Sequence, residues 1–189
     1  MRIGIISDTH GSLSAWEQSL RTLGEVDLLL HAGDVLYHGP RNPLPEGHDA
    51  KHLAEAINRY PGRIVIARGN CDADVDQVVL DVPIQSPYAI IVVNDMPIMV
   101  LHGHNSSEDE LLGFMRRYEL SFLIRGHTHV PGISKPFGGV GGVIINPGSA
   151  ALPKTPDRRG TVAVIDDELI RICHIDDGSE LMSSKYCPV

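Results

Sequence analysis

Seven side chains in this sequence share one setting. Asp8 and His10 follow the apolar run IGII, Asp34 follows VDLLLH, Asn70 follows RIVIAR, His102 follows IMVL, and His127 with His129 follow SFLIR. Each run reads as a strand that breaks into turn residues, with a glycine within three positions. One Asp at a strand end is ordinary, because carboxylates cap turns. Recurrence at five strand ends points instead to a common site. Two carboxylates, one carboxamide and four imidazoles offer nitrogen and oxygen donors without thiolate. That mixture suits borderline divalent ions such as Mn, Fe, Zn, Co or Ni. Calcium would call for oxygen donors only, and a structural zinc site for four ligands in a closed shell. Seven donors exceed the needs of one ion and suit two with a shared carboxylate. Asp34, after the strand next to the first, is the candidate bridge. In an extended chain Asp8 and His10, two apart, would point to the same side.

The elements that must hold these groups alternate. A helix is expected from Leu13 to Leu23, with Ser12 as N-cap and Gly24 as stop, and another from Ala50 to Tyr60. Between the second strand and that helix lies Tyr37 to Asp49 (YHGPRNPLPEGHD), a Pro- and Gly-rich loop whose His38, Arg41 and Asn42 are candidate substrate contacts. Strands are expected at Val78–Val82, Tyr88–Val93, Ile98–Leu101, Ser121–Arg125 and Val143–Ile145, and a third helix at Ser107–Tyr118. Thr161–Ile165 and Leu169–Ile175 read as a closing hairpin, and residues 176–189 as a loosely ordered tail. Strand–helix alternation argues an α/β fold. The late strands lack intervening helices, so part of the sheet should be antiparallel. No repeat or linker interrupts the chain, and 189 residues suit a single domain, 1–189.

Composition narrows the function. Apolar residues make up 42% of the chain and charged residues 21%, as in a globular protein. A formal net charge of −8 without a basic stripe argues against an extended nucleic-acid surface. No apolar run approaches the length of a membrane span and no signal peptide is evident. Three cysteines, Cys71, Cys173 and Cys187, without framework spacing suggest reduced thiols and a cytoplasmic setting.

The order Asp8-Thr9-His10, Gly33-Asp34, Gly69-Asn70-Cys71-Asp72, His102-Gly103 and Gly126-His127-Thr128-His129 resembles the calcineurin-like metallophosphoesterases. The small size, with HGPRNPLPEG before GNCD, is most similar to their small bacterial YfcE-type phosphodiesterase branch. The resemblance implies a four-layer αββα sandwich with two mixed sheets and a dinuclear site at the strand ends. It implies that Asp8, His10, Asp34 and His129 hold one ion and Asp34, Asn70, His102 and His127 the other, with manganese the first expectation. Such a pair would lower the pKa of a bridging water enough to supply hydroxide near neutral pH. It would also neutralise charge on the phosphoryl oxygens during in-line displacement.

One position departs from the pattern. Many members have His after the motif Asn, where it is thought to protonate the leaving group; here Cys71 stands there. Weak protonation by a thiol would favour phosphodiesters with good leaving groups. His104 is the alternative proton donor, and Asp72 a support for a neighbouring residue. The expected substrate is a small phosphodiester. The alternatives are a phosphomonoesterase or nucleotidase on the same site, or a non-catalytic protein-binding module on this fold; the full ligand set favours catalysis. The branch is compatible with a homo-oligomer.

Overall fold

The computed structural model describes residues 1–136 and 141–186. Two sheets face one another. The first has seven strands and is built around β1 (Arg2–Ile6), β2 (Leu28–His31), β3 (Ile64–Ala67) and the two-residue β4 (Ile84–Gln85), all parallel. The hairpin of β10 (Thr161–Asp166) and β11 (Leu169–His174) joins the other side of β1 antiparallel, and β12 (Glu180–Lys185) forms the edge. The second sheet has five strands. β6 (Met96–Val100), β7 (Phe122–Ile124) and β9 (Val143–Asn146) are parallel, flanked by antiparallel β5 (Ala89–Val93) and β8 (Gly132–Ser134).

Three apolar clusters define four layers. Ile3, Ile5, Leu30, Ile98, Val100, Phe122, Ile124, Ile145 and Ile165 fill the space between the sheets. α1 (Leu13–Leu23) and α2 (Ala50–Asn58) cover the outer face of the first sheet through Trp16, Leu23, Leu53 and Ile57. α4 (Glu108–Arg117) covers the second sheet through Leu111 and Met115. The expected mixed αββα sandwich is therefore present. Local chemistry explains the helix ends. Ser12 accepts a hydrogen bond from the Ala15 amide, and Ser107 with Glu110 forms a reciprocal capping box at α4.

Three expectations need correction. Residues 78–82 are not a strand: α3 (Asp76–Val79) occupies the start of that run, and β4 follows it. The Asp76 carboxylate accepts the Ala73 amide and turns the chain into α3, leaving Val78 and Val79 exposed rather than in a sheet. The tail is not loose over its described part, because β12 pairs with β11 and Met182 and Tyr186 pack on the inter-sheet core. Alternation in ELMSSK is the pattern of an edge strand with one face down. β8 was not expected, being a three-residue strand that begins with glycine. Cys187 lies outside the described residues.

Candidate metal centre

The parallel strands of both sheets end on the same edge of the sandwich, which brings their turns together. Asp8 and His10 follow β1, Asp34 follows β2, Asn70 and Asp72 follow β3, His102 and His104 follow β6, and His127 and His129 follow β7. The backbone at these turns is unusual. Asp8 (φ 55°), His10 (47°), Asp34 (58°), His127 (70°) and His129 (59°) all lie in the left-handed region without being glycine. Asp8 and His10 therefore do not converge by strand alternation, as the extended reading assumed. They converge because two left-handed residues roll the chain over the strand end. Such strain persists only where the surroundings over-determine it, and it clusters at functional sites.

Backbone bonds hold the roll in place. The Asp8, His10 and Gly11 amides donate to the carbonyls of Gly33, Asp34 and Val35, zipping the first turn to the second. Glycine is required where turns touch. A Cβ on Gly69 would strike the Asp34 carboxylate, and one on Gly126 would strike the Ser7 hydroxyl and approach Asp8 Oδ2 to 2.9 Å. Asp72 is buried, and its carboxylate accepts the amides of Asp34, Val35 and Gly69 at 2.7–2.9 Å. It positions Asp34 rather than facing the cluster.

Three of the imidazoles have a fixed orientation. His10 Nδ1 lies 2.9 Å from the Tyr37 carbonyl, His102 Nδ1 2.7 Å from that of Ala32, and His129 Nδ1 2.6 Å from that of Leu152. A carbonyl only accepts, so each Nδ1 carries a hydrogen, and in the neutral ring Nε2 is a lone pair. Those lone pairs point at one another and at carboxylates. His10 Nε2 is 3.2 Å from His129 Nε2. His129 Nε2 is 3.2 Å from Asp8 Oδ1, and His102 Nε2 is 3.2 Å from Asp34 Oδ2 and 3.1 Å from Asn70 Oδ1. Asp8 Oδ1 is buried and has no hydrogen-bond partner among the described residues. Acceptors crowded on acceptors, with an orphaned carboxylate oxygen among them, need positive charge in their midst. A divalent cation supplies it, so the residues present fit the implied ions.

Without metal, protons play that part. Burial alone would lower His102, but Asp34 and Asp8 outweigh it and raise its imidazole to about 9. Asp8 is likewise disfavoured as an anion by burial, yet the imidazoles of His10, His129 and His102 around it hold it well below the usual carboxylate range.

The expected ligands do not all come equally close. Asp8, His10 and His129 form one compact group, and Asp8, Asp34 and His102 another. Asn70 reaches the second through His102. His127 stands at the exposed lip, its ring centroid 5.1 Å from that of His102 and its amide bonded to Asp8 Oδ2. Cys71 donates its amide to Asp34 Oδ1, and burial together with Asp34 pushes its thiol up to about 12. His104 is exposed, its ring 5.5 Å from that of His102. The three loop candidates separate. Asn42 lines a cavity beside His129, His38 packs against Tyr37 and His48 in a different cavity, and Arg41 is exposed.

Sequence reasoning missed Ser7 and His31 among the supports, whereas Ser149, after the strand end at Asn146, was expected to shape the turn near the site. Ser149 donates to the Asp8 carbonyl and accepts the Ala151 and Leu152 amides, so it links the first turn to the carbonyl that orients His129. Ser7 donates to Asp8 Oδ2. His31 is fully buried; its Nδ1 accepts the Gly33 amide, and its Nε2 meets the Thr9 hydroxyl, which donates to the Val35 carbonyl. The His at the end of LLLH, facing Thr9 between two ligands, was the available signal.

His31 predicts a pH dependence. Burial holds its pKa at about 4, below the ordinary 6.5. Between those values the unfolded chain binds a proton that the native ring refuses, so this contribution to stability is lost as pH falls. The loss should approach ~1.4 kcal/mol per pH unit. Denaturant unfolding of chelated protein between pH 7 and 5 should show it, with a shallower slope in His31→Gln. Parallel slopes would contradict this account.

The comparisons agree with the geometry. Residues 1–168 match the calcineurin-like phosphoesterase superfamily domain. The chain is 33% identical to phosphodiesterase YfcE of Escherichia coli K12 over 181 residues, covering 95% of each. Its structure matches that of the YfcE phosphoesterase from E. coli with a TM-score of 0.84 and 30% identity, over 98% of this chain and 99% of that one. Vacuolar protein sorting 29 from Cryptosporidium parvum shares the fold at a TM-score of 0.69 and 18% identity, over 99% of this chain and 98% of that one. Fold and sequence similarity converge, and this chain belongs to the calcineurin-like phosphoesterase superfamily.

Proposed function

We propose that the chain is a phosphodiesterase that uses two divalent metal ions, manganese first among the candidates, to hydrolyse small phosphodiesters. The observation that carries the reading is the inward aim of three orientation-locked Nε2 atoms onto two buried carboxylates. Asp8, His10, Asp34 and His129 would hold one ion, and Asp34, Asn70, His102 and His127 the other. Bound there, the ions would supply an activated water as nucleophile and positive charge against the phosphoryl oxygens.

The chain's own residues prepare the site. Backbone carbonyls fix the imidazoles of His10, His102 and His129, as second-layer partners do for metal-binding His. Asp72 keeps the Asp34 turn closed on the Gly69 turn. His104 lines a cavity with Asn70 and His102 and would be the alternative to Cys71 as proton donor to a leaving oxygen. Cys71 lies against the Asn70 amide and beside His10 and Asp34, where a neutral thiol is a weak acid. Diesters with good leaving groups should therefore be preferred. The same reading is supported by similarity to a protein named as a phosphodiesterase over nearly the whole chain.

The test is hydrolysis of bis-p-nitrophenyl phosphate against p-nitrophenyl phosphate, after chelation and return of Mn, Ni, Zn or Mg. Chelation should abolish activity and a returned ion restore it, with the diester favoured about ten-fold or more. Equal rates on both would keep the metals but remove the weak-acid role of Cys71, and a clear preference for the monoester would replace the diesterase with a monoesterase reading. Bound metal without turnover would favour a binding module.

A further inference from the structure

Two cavities adjoin the cluster, and their chemistry differs. One meets it at Asn70 and His102 and contains the aromatic rings of Tyr88 and Phe114. Its arginine, Arg68, is already paired with Asp74 at 2.9 Å, and Glu110 adds a negative charge. The other, about 660 Å³, meets it at His129 and is lined by Asn42, Leu152, Lys154 and Arg158. That is ample room for one ester arm. Neither Lys154 nor Arg158 has a carboxylate within 4.0 Å among the described residues, although the neighbouring Arg159 pairs with Asp176 and Asp177.

The wall carrying these cations is built onto the metal centre. Ser149 ties it to the Asp8 carbonyl, the Leu152 carbonyl orients His129, and the Lys154 amide donates to the His129 carbonyl at 3.1 Å. The Arg158 amide then bonds back to the Thr155 carbonyl, with Arg158 at φ 52°, turning that residue onto the cavity. In a chain of net charge −8, two exposed cations with no carboxylate partner among the described residues, on a wall whose Lys154 amide bonds to the His129 carbonyl, are positioned for an anion.

We propose that this cavity is a subsite for a second anionic group, phosphate or carboxylate, on one ester arm of the substrate. The proposal rests on the phosphodiesterase reading above and specifies its substrate as an asymmetric diester. One arm ends in negative charge beside Lys154 and Arg158, with Asn42 offering a carboxamide. Arginine and lysine recognise such groups by charge-assisted hydrogen bonds.

The experiment uses the metal-loaded protein and three p-nitrophenyl phosphodiesters whose alkyl arm ends in hydroxyl, carboxylate or phosphate. The charged arms should raise kcat/KM about ten-fold over hydroxyl, the effect of one charge-assisted hydrogen bond. Phosphate above carboxylate, or the reverse, identifies the anion. In the Lys154→Ala/Arg158→Ala double variant the charged-to-hydroxyl ratio should collapse toward one, and added salt should lower it in the wild type. Calorimetry with an unreactive phosphonate bearing the phosphate-terminated arm gives a second readout, and its affinity should fall about ten-fold in the double variant. An unchanged ratio and unchanged affinity would overturn the subsite while leaving the diesterase intact. Absence of hydrolysis, with phosphonate binding still lost in the double variant, would overturn the diesterase and keep the anion site.

Discussion

Asp34→Asn is expected to lower diester hydrolysis by about 10³-fold while leaving the fold intact. Asp34 is the proposed bridge: it groups with Asp8 and His102 on one side and with His10 and Cys71 on the other. Its Oδ2 lies 3.2 Å from His102 Nε2 and 3.8 Å from His10 Nε2, and its Oδ1 accepts the Cys71 amide at 2.8 Å. A carboxamide keeps the last bond by turning its oxygen to Cys71. Its NH₂ group then points at the His102 lone pair and donates to it. The variant therefore satisfies its neighbours and occupies the nitrogen that a cation would use. Metal content after reconstitution should fall together with activity, and the melting temperature of chelated protein should stay near wild type. Retained metal with activity within ten-fold of wild type would remove Asp34 from its bridging role.

Asp72→Ala should act the other way, on the scaffold first. The carboxylate is 4% exposed and receives three backbone amides, those of Asp34, Val35 and Gly69. Alanine would leave three buried donors without partners in the two turns that carry Asp34 and Asn70. Hydrogen bonds to charged acceptors contribute about 1.5–3 kcal/mol each and are not additive, so a loss of about 4 kcal/mol is expected. For a chain of this length that lowers the melting temperature by about 10 °C. Asp72→Asn, which keeps one acceptor oxygen, should recover part of it. Thermal unfolding of chelated protein checks the scaffold effect, and the metal dissociation constant checks that Asp34 has lost its support. A shift under about 2 °C in Asp72→Ala would mean that the turns close without this clamp.

Much of the centre could be read before any coordinates. Every proposed ligand lies just past an apolar run, and the donor types restrict the ion. α1 and α4 carry their own signals in Ser12, Gly24 and the Ser107–Glu110 pair, because caps are settled within one helical turn. The Gly-Asp, Gly-Asn and Gly-His steps were legible for a related reason: a strand that must stop abruptly advertises its turn. Packing of turn on turn then explains why Gly69 and Gly126 admit no Cβ.

Other features came only from the tertiary structure. VDQVVLDV carries a β-prone composition, and its helical start at α3 is set by the bond of Asp76 to Ala73. β12 is a strand because β11 offers it an edge and Phe122 a ring for Tyr186 to meet at 4.8 Å. The left-handed conformations of Asp8, His10, Asp34, His127 and His129 oppose local preference and are imposed by neighbouring turns. The role of His31, and the partners of Asp72 and Ser149 that their expected supporting roles left open, depend on which backbone groups lie opposite them. Lys154 and Arg158 are distant from His129 in sequence and reach its cavity only because the chain folds back along Ser149. What the sequence by itself determined were the donors, the strand ends and the capped helices, since period, turn chemistry and ligand type are properties of short stretches. Edge pairing, strained backbone, buried supports and the cation-lined cavity were decided by tertiary structure, since each is a contact between segments far apart in the chain.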